Sequence, residues 1–268
     1  MTNPLQTLHA AGQSIWLDYI DRTMLHNGEL ARRLRDDSLS GMTSNPTIFE
    51  KALAQGTAYD AQLKDAAGDR TAWEMFELVE TDDVRTACDI FRPVYDAAKG
   101  RDGFVSIEVS PGSAHDSAAT IAEAHRLWKT VARPNVMIKV PGTAEGAVAV
   151  RALIADGINV NITLLFSIDA HAKVIDAYMG GLEERIAAGK SIEQISSVAS
   201  FFVSRVDTEI DKRLDALIAT ASGDQKTKLE AMKGRAAIAN AKLAYELFQR
   251  EFSSARWRAI EAKGGKVQ

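Results

Sequence analysis

The chain has 268 residues, of which 46% are hydrophobic and 25% charged, as is ordinary for a globular protein built as one α/β domain. Its net charge of −4 offers no basic excess for phosphate backbones, which argues against nucleic acid or an anionic membrane as a partner. Cys88 is the only cysteine, which excludes an intrachain disulfide, and no apolar run reaches the roughly 18 residues of a membrane span. We therefore expect a cytoplasmic protein, and a local basic pocket for a small phosphorylated substrate fits this charge.

Six short strand-like segments alternate with longer helical ones along the chain. The strand segments are residues 14–20, 41–45, 104–110, 136–140, 159–166 and 195–203, and clear helical periodicity covers 72–98 and 117–132. Strands that alternate with helices imply right-handed βαβ units and a parallel sheet. Since no repeat, low-complexity tract or linker interrupts the sequence, we predict a single domain over residues 1–268.

The strands carry polar residues on one face only. In the fifth segment one face has Asn159, Asn161, Thr163 and Leu165, and the other has Val160, Ile162, Leu164 and Phe166. Strands of a doubly wound sheet are buried on both faces and are usually apolar throughout. In a closed barrel the polar side chains can point into the interior, where they converge on the barrel axis and on the mouth at the C-terminal ends of the strands. The pattern therefore favours a parallel (β/α)8-type barrel over an open sheet.

Lys139 is the central candidate for chemistry. It stands among hydrophobic neighbours in the fourth segment, before Pro141 and Gly142. Burial favours the neutral amine, which can attack a carbonyl and form a Schiff base. The alternative is a structural lysine that reaches a barrel end or pairs with a carboxylate.

Schiff-base chemistry also needs a proton shuttle and an activated water. Asp18 shares the Trp16 face of the first segment, and Glu108 lies on the polar face of the third. The alternative for both is a structural ion pair with Lys139 or an arginine. Thr163, Asn161 and Asn45 are candidates for holding hydroxyl groups or a water, although Asn45 before Pro46 could equally start a turn.

Other chemistries lack their motifs. The five histidines make no metal-binding spacing, and we interpret them as surface or helix-cap residues. Neither a phosphate-binding P-loop nor a dinucleotide fingerprint is present, and no serine elbow accompanies His115. We expect no metal site, and we interpret the four tryptophans as packing residues.

At these positions the sequence resembles the transaldolase family. The motifs that carry the resemblance are WLD at 16–18, GMTSNPTIF at 41–49, VSIEV at 105–109, MIKVPGT at 137–143 and NVNITLLF at 159–166. They occur in the family's order along nearly the whole chain, and the TSNPTIF and IKVPGT strings together are highly specific. The resemblance implies a barrel enzyme of the class I aldolase group that acts on sugar phosphates in the non-oxidative pentose phosphate pathway, without a cofactor.

The resemblance also implies individual roles. Lys139 matches the Schiff-base lysine and Asp18 the general acid/base, while Glu108 and Thr163 match the pair that positions the catalytic water. Positions that match substrate binding are Thr43, Asn45, Asn161, Ser200 and Arg205. A guanidinium at position 205 could grip a phosphate in a bidentate manner.

One departure from the family pattern concerns the last strands. Closure needs eight strands and we count six, so we expect a barrel that lacks its last two. An open edge would favour a homo-oligomer or a complementing chain. Two other functions stay open: an aldolase of the fructose-6-phosphate type, which releases the three-carbon unit, and a catalytically impaired fragment that acts in assembly.

Overall fold

In a computed structural model, residues 3–54 and 57–268 form an α/β structure. The strands in this part of the chain are β1 (Ile15–Asp18), β2 (Leu39–Thr43), β3 (Val105–Glu108), β4 (Val136–Pro141), β5 (Val160–Leu165) and β6 (Ser197–Phe201). Each lies inside or beside a predicted strand segment, and most are shorter than predicted. The predicted helices at 72–98 and 117–132 are also present.

Helices precede and follow the strands. They are α1 (Pro4–Ala10), α2 (Arg22–His26), α3 (Glu29–Asp36), α4 (Pro46–Ala54), α5 (Asp60–Ala66), α6 (Ala72–Ala97), α7 (Ser117–Val131), α8 (Ala144–Asp156), α9 (Ile168–Ala187), α10 (Ser204–Ile218), α11 (Gly223–Glu230), α12 (Ala236–Glu251) and α13 (Ala255–Glu261). The long helix α6 begins at a capping box, in which Thr71 and Glu74 satisfy each other's backbone N–H groups.

The six strands form one sheet in the order β1-β2-β3-β4-β5-β6, and every neighbouring pair is parallel. The sequential order, with helices between the strands, is that of a partial (β/α) barrel and confirms the predicted fold class. Among the described residues β1 and β6 each pair on one side only, so they are the edges of the sheet.

Alternation along β3 separates two environments. Val105, Ile107 and Val109 belong to the hydrophobic core that the sheet forms with its helices. Ser106 and Glu108 point to the opposite, inner face, as the hydrogen bond to Ser106 from Asn161 of β5 demonstrates. The inner face therefore collects the polar side chains, as the sequence pattern predicts.

The amino-terminal end of the inner face carries Trp16. The Trp16 ring lies against Gly41, where any Cβ atom would overlap the indole. Trp16 also packs with Phe104 and Met137. A cavity of about 370 Å³ opens here, and residues 265–268 line part of its wall.

The prediction for the end of β5 was wrong. Leu165, assigned to the polar face, is fully buried in the core, whereas Leu164 is 39% exposed. The physical reason is the left-handed backbone of Leu164 (φ 60°), which shifts the register between Ile162 and Leu165 and exchanges the two faces.

The interpretation of the histidines also fails at one position. His171 in α9 is buried beside the Phe201 ring, with centroids 5.7 Å apart, because α9 packs this part of its surface against β6. Burial lowers the pKa of its imidazole, which favours the neutral form. Within residues 3–54 and 57–268, no helix combines the length and apolar character that crossing a membrane requires.

Candidate active site

Lys139 lies in the middle of the sheet, on the inner face of β4. Its flanking residues Ile138 and Val140 point into the core, which fixes the lysine toward the barrel interior. The residue is only 7% exposed. Its Nζ atom is 3.1 Å from Glu108 Oε2 and donates a hydrogen bond to the backbone carbonyl of Ser44 at 3.2 Å. The amine is therefore held away from bulk solvent against a carboxylate.

Sheet register explains this contact. Glu108 and Lys139 are direct neighbours across β3 and β4 and share one face. Ser44 follows β2 and is itself fixed, because its hydroxyl donates to the Ser106 carbonyl at 2.8 Å. Three neighbouring strands thus hold the lysine nitrogen through its ion pair and its backbone acceptor.

The environment of Glu108 raises the pKa of its carboxyl group. Burial, the largest cause, raises its pKa, while the charge and hydrogen bond of Lys139 lower it. Asp18 raises the pKa further and Arg205 lowers it, and the net shift is upward. A carboxylate with a raised pKa is a better acceptor for a proton from the neighbouring ammonium group.

Asp18 is the last residue of β1 and faces the mouth of the barrel. It stands beside Thr43 across β1 and β2, and it is exposed to solvent. Its electrostatic effect on Glu108 indicates that both acids serve one site. Asp18 is therefore open to an incoming ligand, whereas Lys139 is enclosed.

Asn161 connects β5 to two other strands across the inner face. Its amide nitrogen donates to Ser106 Oγ at 2.9 Å, and its amide oxygen accepts from Ser200 Oγ at 2.8 Å. Because Asn161 is also the register partner of Lys139, these bonds lie beside the amine. These two hydrogen bonds hold the Asn161 side chain in one rotamer, so its amide group has a fixed orientation.

Two threonines lie at neighbouring strand ends. Thr163 is buried and stands beside Pro141 across β4 and β5, two residues beyond the level of Lys139. Its carbonyl accepts from Gly142 N at 2.7 Å. The hydroxyl of Thr43 is buried and has no hydrogen-bond partner in the described part of the chain. A buried hydroxyl without a partner is available for a ligand.

Asn45 and Arg205 lie at the amino-terminal ends of helices. Asn45 Oδ1 accepts from Ile48 N at 3.0 Å and so caps α4, as the alternative interpretation of Asn45-Pro46 anticipated. Arg205 is in the first turn of α10, where its guanidinium lies over the Phe202 ring at 4.9 Å. The amino-terminal end of α10 has no side-chain cap, so its first N–H groups are not satisfied by a capping side chain.

The structure thus brings Glu108, Lys139, Asn161 and Ser200 into one contiguous group, with Thr43 and Thr163 beside it and Asp18 next to Thr43 at the end of β1. Sequence reasoning missed Ser44 and Ser106. Ser44 acts through its backbone carbonyl, which no residue type reveals, and the Ser106 hydroxyl was visible only as one more polar residue on the inner face. The residues described here contain no group of three or more histidine, cysteine or acidic side chains placed to hold a metal ion.

A parallel α/β barrel with a buried lysine and acids at the carboxyl ends of its strands is typical of barrel enzymes that act through a lysine amine. Residues 15–263 match the family model described as transaldolase/fructose-6-phosphate aldolase. The chain belongs to the transaldolase family, as its motifs predicted.

Several relatives align with essentially the whole chain. The transaldolase of Parafrankia sp. is 49% identical over 269 residues, which cover 100% of this chain and 71% of the relative. The transaldolase of Thermobifida fusca has the same identity and coverage. The protein named transaldolase 2 of Nostoc sp. is 48% identical and covers 99% of this chain and 71% of its own length.

Proposed function

We propose that the chain is a transaldolase that transfers a dihydroxyacetone unit from sedoheptulose 7-phosphate to glyceraldehyde 3-phosphate through a Schiff base on Lys139. The observation that carries the proposal is the enclosed Lys139 amine, 3.1 Å from Glu108 in a barrel interior. Family membership and the names of the relatives support the transferase activity and sugar phosphates as substrates.

The first step is release of the amine. The nucleophile has to be the neutral amine, because an ammonium group has no free electron pair. Transfer of its proton to Glu108 leaves a neutral amine and a neutral carboxyl, and the raised pKa of Glu108 narrows the free-energy gap for this transfer. The amine then attacks the ketose carbonyl to form a carbinolamine. Glu108 gives its proton to the carbinolamine hydroxyl group, water leaves, and a protonated imine remains.

Carbon–carbon cleavage follows, with Asp18 as the base. Asp18 takes the proton of the hydroxyl group next to the breaking bond, and the bonding electrons move into the imine to give an enamine. The aldehyde product leaves and the acceptor aldehyde enters. The enamine attacks it, and Asp18 returns its proton to the new hydroxyl group. The exposed position of Asp18 at the mouth suits contact with both aldehydes.

Hydrolysis of the imine completes the cycle. We assign Glu108 and Thr163 to the water that attacks the imine carbon, because they flank Lys139 on the neighbouring strands β3 and β5. Water addition and proton transfer through Glu108 release the ketose and restore the amine.

Substrate binding is assigned to polar groups with unused hydrogen-bonding capacity. The Thr43 hydroxyl is buried without a partner, and the oriented Asn161–Ser200 pair faces the same interior. In Asn45 the amide oxygen caps α4, so the amide NH2 group is the one assigned to a substrate hydroxyl. Arg205 and the uncapped start of α10 are assigned to the phosphate, because cationic forks and helix amino-terminal ends both favour anions.

Trapping of the imine tests the proposal. The folded protein is treated with fructose 6-phosphate and borohydride, which reduces an imine to a stable amine, and the adduct is located by mass spectrometry. We expect the adduct on Lys139 and none in the Lys139→Met variant. Lys173→Met, a lysine on the outer helix α9, serves as the matched control and should retain the adduct. No adduct on Lys139, or an adduct elsewhere that survives Lys139→Met, would overturn the proposed mechanism.

The family name leaves fructose-6-phosphate aldolase as the second candidate. The two reactions share the imine and differ in the fate of the three-carbon unit. A transaldolase forms new ketose only when an acceptor aldehyde is present, whereas the aldolase releases free dihydroxyacetone without one. We expect acceptor-dependent exchange, and rapid release of dihydroxyacetone without an acceptor would favour the second candidate.

A further inference from the structure

The Lys139 nitrogen has two acceptors of different chemistry. Glu108 Oε2 lies 3.1 Å from Nζ, and the backbone carbonyl of Ser44 accepts a hydrogen bond from Nζ at 3.2 Å. A carboxylate can take a proton from its donor, whereas a peptide carbonyl accepts hydrogen bonds but is far too weakly basic to take the proton. The two acceptors can therefore have separate roles in the chemistry of one nitrogen.

The Ser44 carbonyl is held from both sides. Ser44 is fully buried, and its hydroxyl donates to the carbonyl of Ser106 on β3 at 2.8 Å. Beyond the peptide bond, the backbone and side-chain oxygens of Asn45 both accept from Ile48 N at 3.0 Å, at the start of α4. Pro46 restricts the backbone of Asn45 further. The peptide unit that carries the acceptor therefore has little freedom to turn away from the lysine.

Formation of an imine changes what the nitrogen can donate. An ammonium group has three N–H bonds and a neutral amine has two, but a protonated imine has only one. Over the same steps Glu108 gains and loses protons, first with the amine, then with the departing hydroxyl group and finally with the hydrolytic water. An acceptor that keeps one N–H of the nitrogen throughout has to be a group that takes no proton. Among the described residues, the Ser44 carbonyl is the uncharged acceptor that Nζ contacts.

We propose that the Ser44 carbonyl accepts the single N–H of the protonated imine on Lys139, and that the Ser44 hydroxyl positions the carbonyl for this contact. This inference rests on the proposed function. The negative end of the carbonyl dipole stabilises the positive charge on the nitrogen. Because the carbonyl leaves the proton on the nitrogen, it preserves the electron sink that carbon–carbon cleavage needs.

An ester in place of the peptide bond after Ser44 weakens this acceptor and changes no side chain. The α-hydroxy acid analogue of asparagine at position 45 makes this replacement, since an ester carbonyl is a weaker hydrogen-bond acceptor than an amide carbonyl. It also removes the Asn45 N–H, which donates no hydrogen bond in the described part of the chain. We expect kcat to fall about 3- to 30-fold with KM within about twofold, because the imine has no other N–H, whereas the ammonium group has two more.

The C=N stretch of the imine gives a readout that a purely structural role would not change. In D2O the N–H becomes N–D, and the Raman C=N band of a protonated imine moves to lower frequency by an amount that grows with the strength of the N–H hydrogen bond. The imine is formed from fructose 6-phosphate, and an isotopic label at the ketose carbonyl carbon assigns the band. We expect a deuterium shift in the parent protein and a smaller one in the ester protein.

A pair of serine variants tests the hydroxyl. Ser44→Ala removes the hydrogen bond to the Ser106 carbonyl and should lower kcat and reduce the deuterium shift, as the ester does. Ser196→Ala is the matched control, because Ser196 is also buried and its hydroxyl donates to a backbone carbonyl, that of Gly100 at 3.2 Å. We expect this control to leave kcat and the deuterium shift unchanged.

The outcomes separate this inference from the proposed function. An unchanged deuterium shift in the ester protein, with the Lys139 adduct still formed, would overturn the inference and leave the proposed function intact. Equal losses of kcat in Ser44→Ala and Ser196→Ala would overturn the positioning role of the Ser44 hydroxyl. Absence of the Lys139 adduct in the parent protein would overturn the proposed function and this inference with it.

Discussion

Among single residues, Arg205 differs from Arg213 and Arg256 in having no acid attached. Arg213 on the same helix pairs with Glu209 at 2.9 Å, and Arg256 binds Asp176 and Glu183. In the described residues Arg205 makes no ion pair and rests on the Phe202 ring instead. A guanidinium that is not already paired can bind phosphate without first breaking another bond.

The Arg205→Met variant should lose substrate affinity. We expect KM for a phosphorylated ketose to rise about 10- to 100-fold with a smaller change in kcat, because a phosphate contact remote from the reacting carbon contributes mainly to binding. Steady-state kinetics measures both constants. Arg213→Met removes an arginine from the same helix and should leave them unchanged. Equal effects in the two variants would show that Arg205 does not contact the phosphate.

The raised pKa of Glu80, a buried acid of α6, predicts that the free energy of unfolding falls as pH rises. An unfolded chain releases the carboxyl proton of Glu80 near pH 4.5, whereas the folded chain keeps it up to about pH 8. Because folding raises the pKa of Glu80, its protonated carboxyl group contributes fully to the stability of the folded chain below about pH 4.5. This contribution is lost as pH rises from about 4.5 to about 8. We expect the free energy of unfolding of the parent, relative to Glu80→Gln, to fall by about 1.4 kcal/mol per pH unit in this window.

Urea unfolding of both proteins at several pH values between those limits measures this difference. A difference in the free energy of unfolding between the two proteins that stays constant from pH 5 to about pH 8 would mean that Glu80 is ionised in the folded chain.

At the scale of elements, strand β5 shows what a sequence pattern can and cannot predict. Alternation correctly placed Asn161 and Thr163 on the inner face, because side chains alternate in any regular strand. It failed at Leu164 and Leu165, because one residue with a positive φ reverses the faces and nothing in a leucine predicts that angle. The same limit applies to the Ser44 carbonyl, since its contact with Lys139 depends on how β2 ends.

Helix α6 shows a related limit. Its periodicity predicts the helix and its buried face, and Glu80 belongs to that face together with Val84 and Phe91. A sequence gives the position of an acid on a helix, but not whether a cation from another element reaches it. Arg22 of α2 pairs with Asp83, whereas Glu80 Oε1 has no hydrogen-bond partner in the described residues.

The conformation of Leu164 leads to a prediction for β5. Glycine adopts a φ of 60° without strain, whereas a β-branched residue clashes with its own backbone. We expect Leu164→Gly to change the free energy of unfolding by less than about 1 kcal/mol and Leu164→Val to lower it by about 1–2 kcal/mol. Urea unfolding of the two variants checks this. If valine is tolerated as well as glycine, the backbone at this position is not left-handed in solution.

For the whole molecule, the carboxyl-terminal helices attach to the barrel through a few large contacts. Trp257 of α13 is 1% exposed and packs edge-on against Phe252, with ring centroids 4.7 Å apart, and near Tyr178 of α9. Arg256 adds ion pairs from α13 to two acids of α9. The organisation of residues 1–268 as one domain, and association at the sheet edges, stay predictions.

Removal of this anchor should cost much of the stability. We expect Trp257→Ala to lower the free energy of unfolding by about 3–5 kcal/mol, because it leaves a large cavity between α13 and α9. Trp73→Ala, which removes a half-exposed ring stacked on Phe76, should cost about 1 kcal/mol or less. Similar losses in the two variants, measured by chemical denaturation, would contradict the anchoring role of Trp257.

Because Trp16 packs against Gly41 on the inner face, its fluorescence can serve as a probe of that face. Trp16 lines the 370 Å³ cavity and lies two residues before Asp18, whereas Trp257 is shielded from water. A small neutral quencher such as acrylamide should therefore reach Trp16 more readily than Trp257. In a protein that retains Trp16 as its only tryptophan, the emission wavelength and the quenching of Trp16 report on how accessible the amino-terminal end of the inner face is to water.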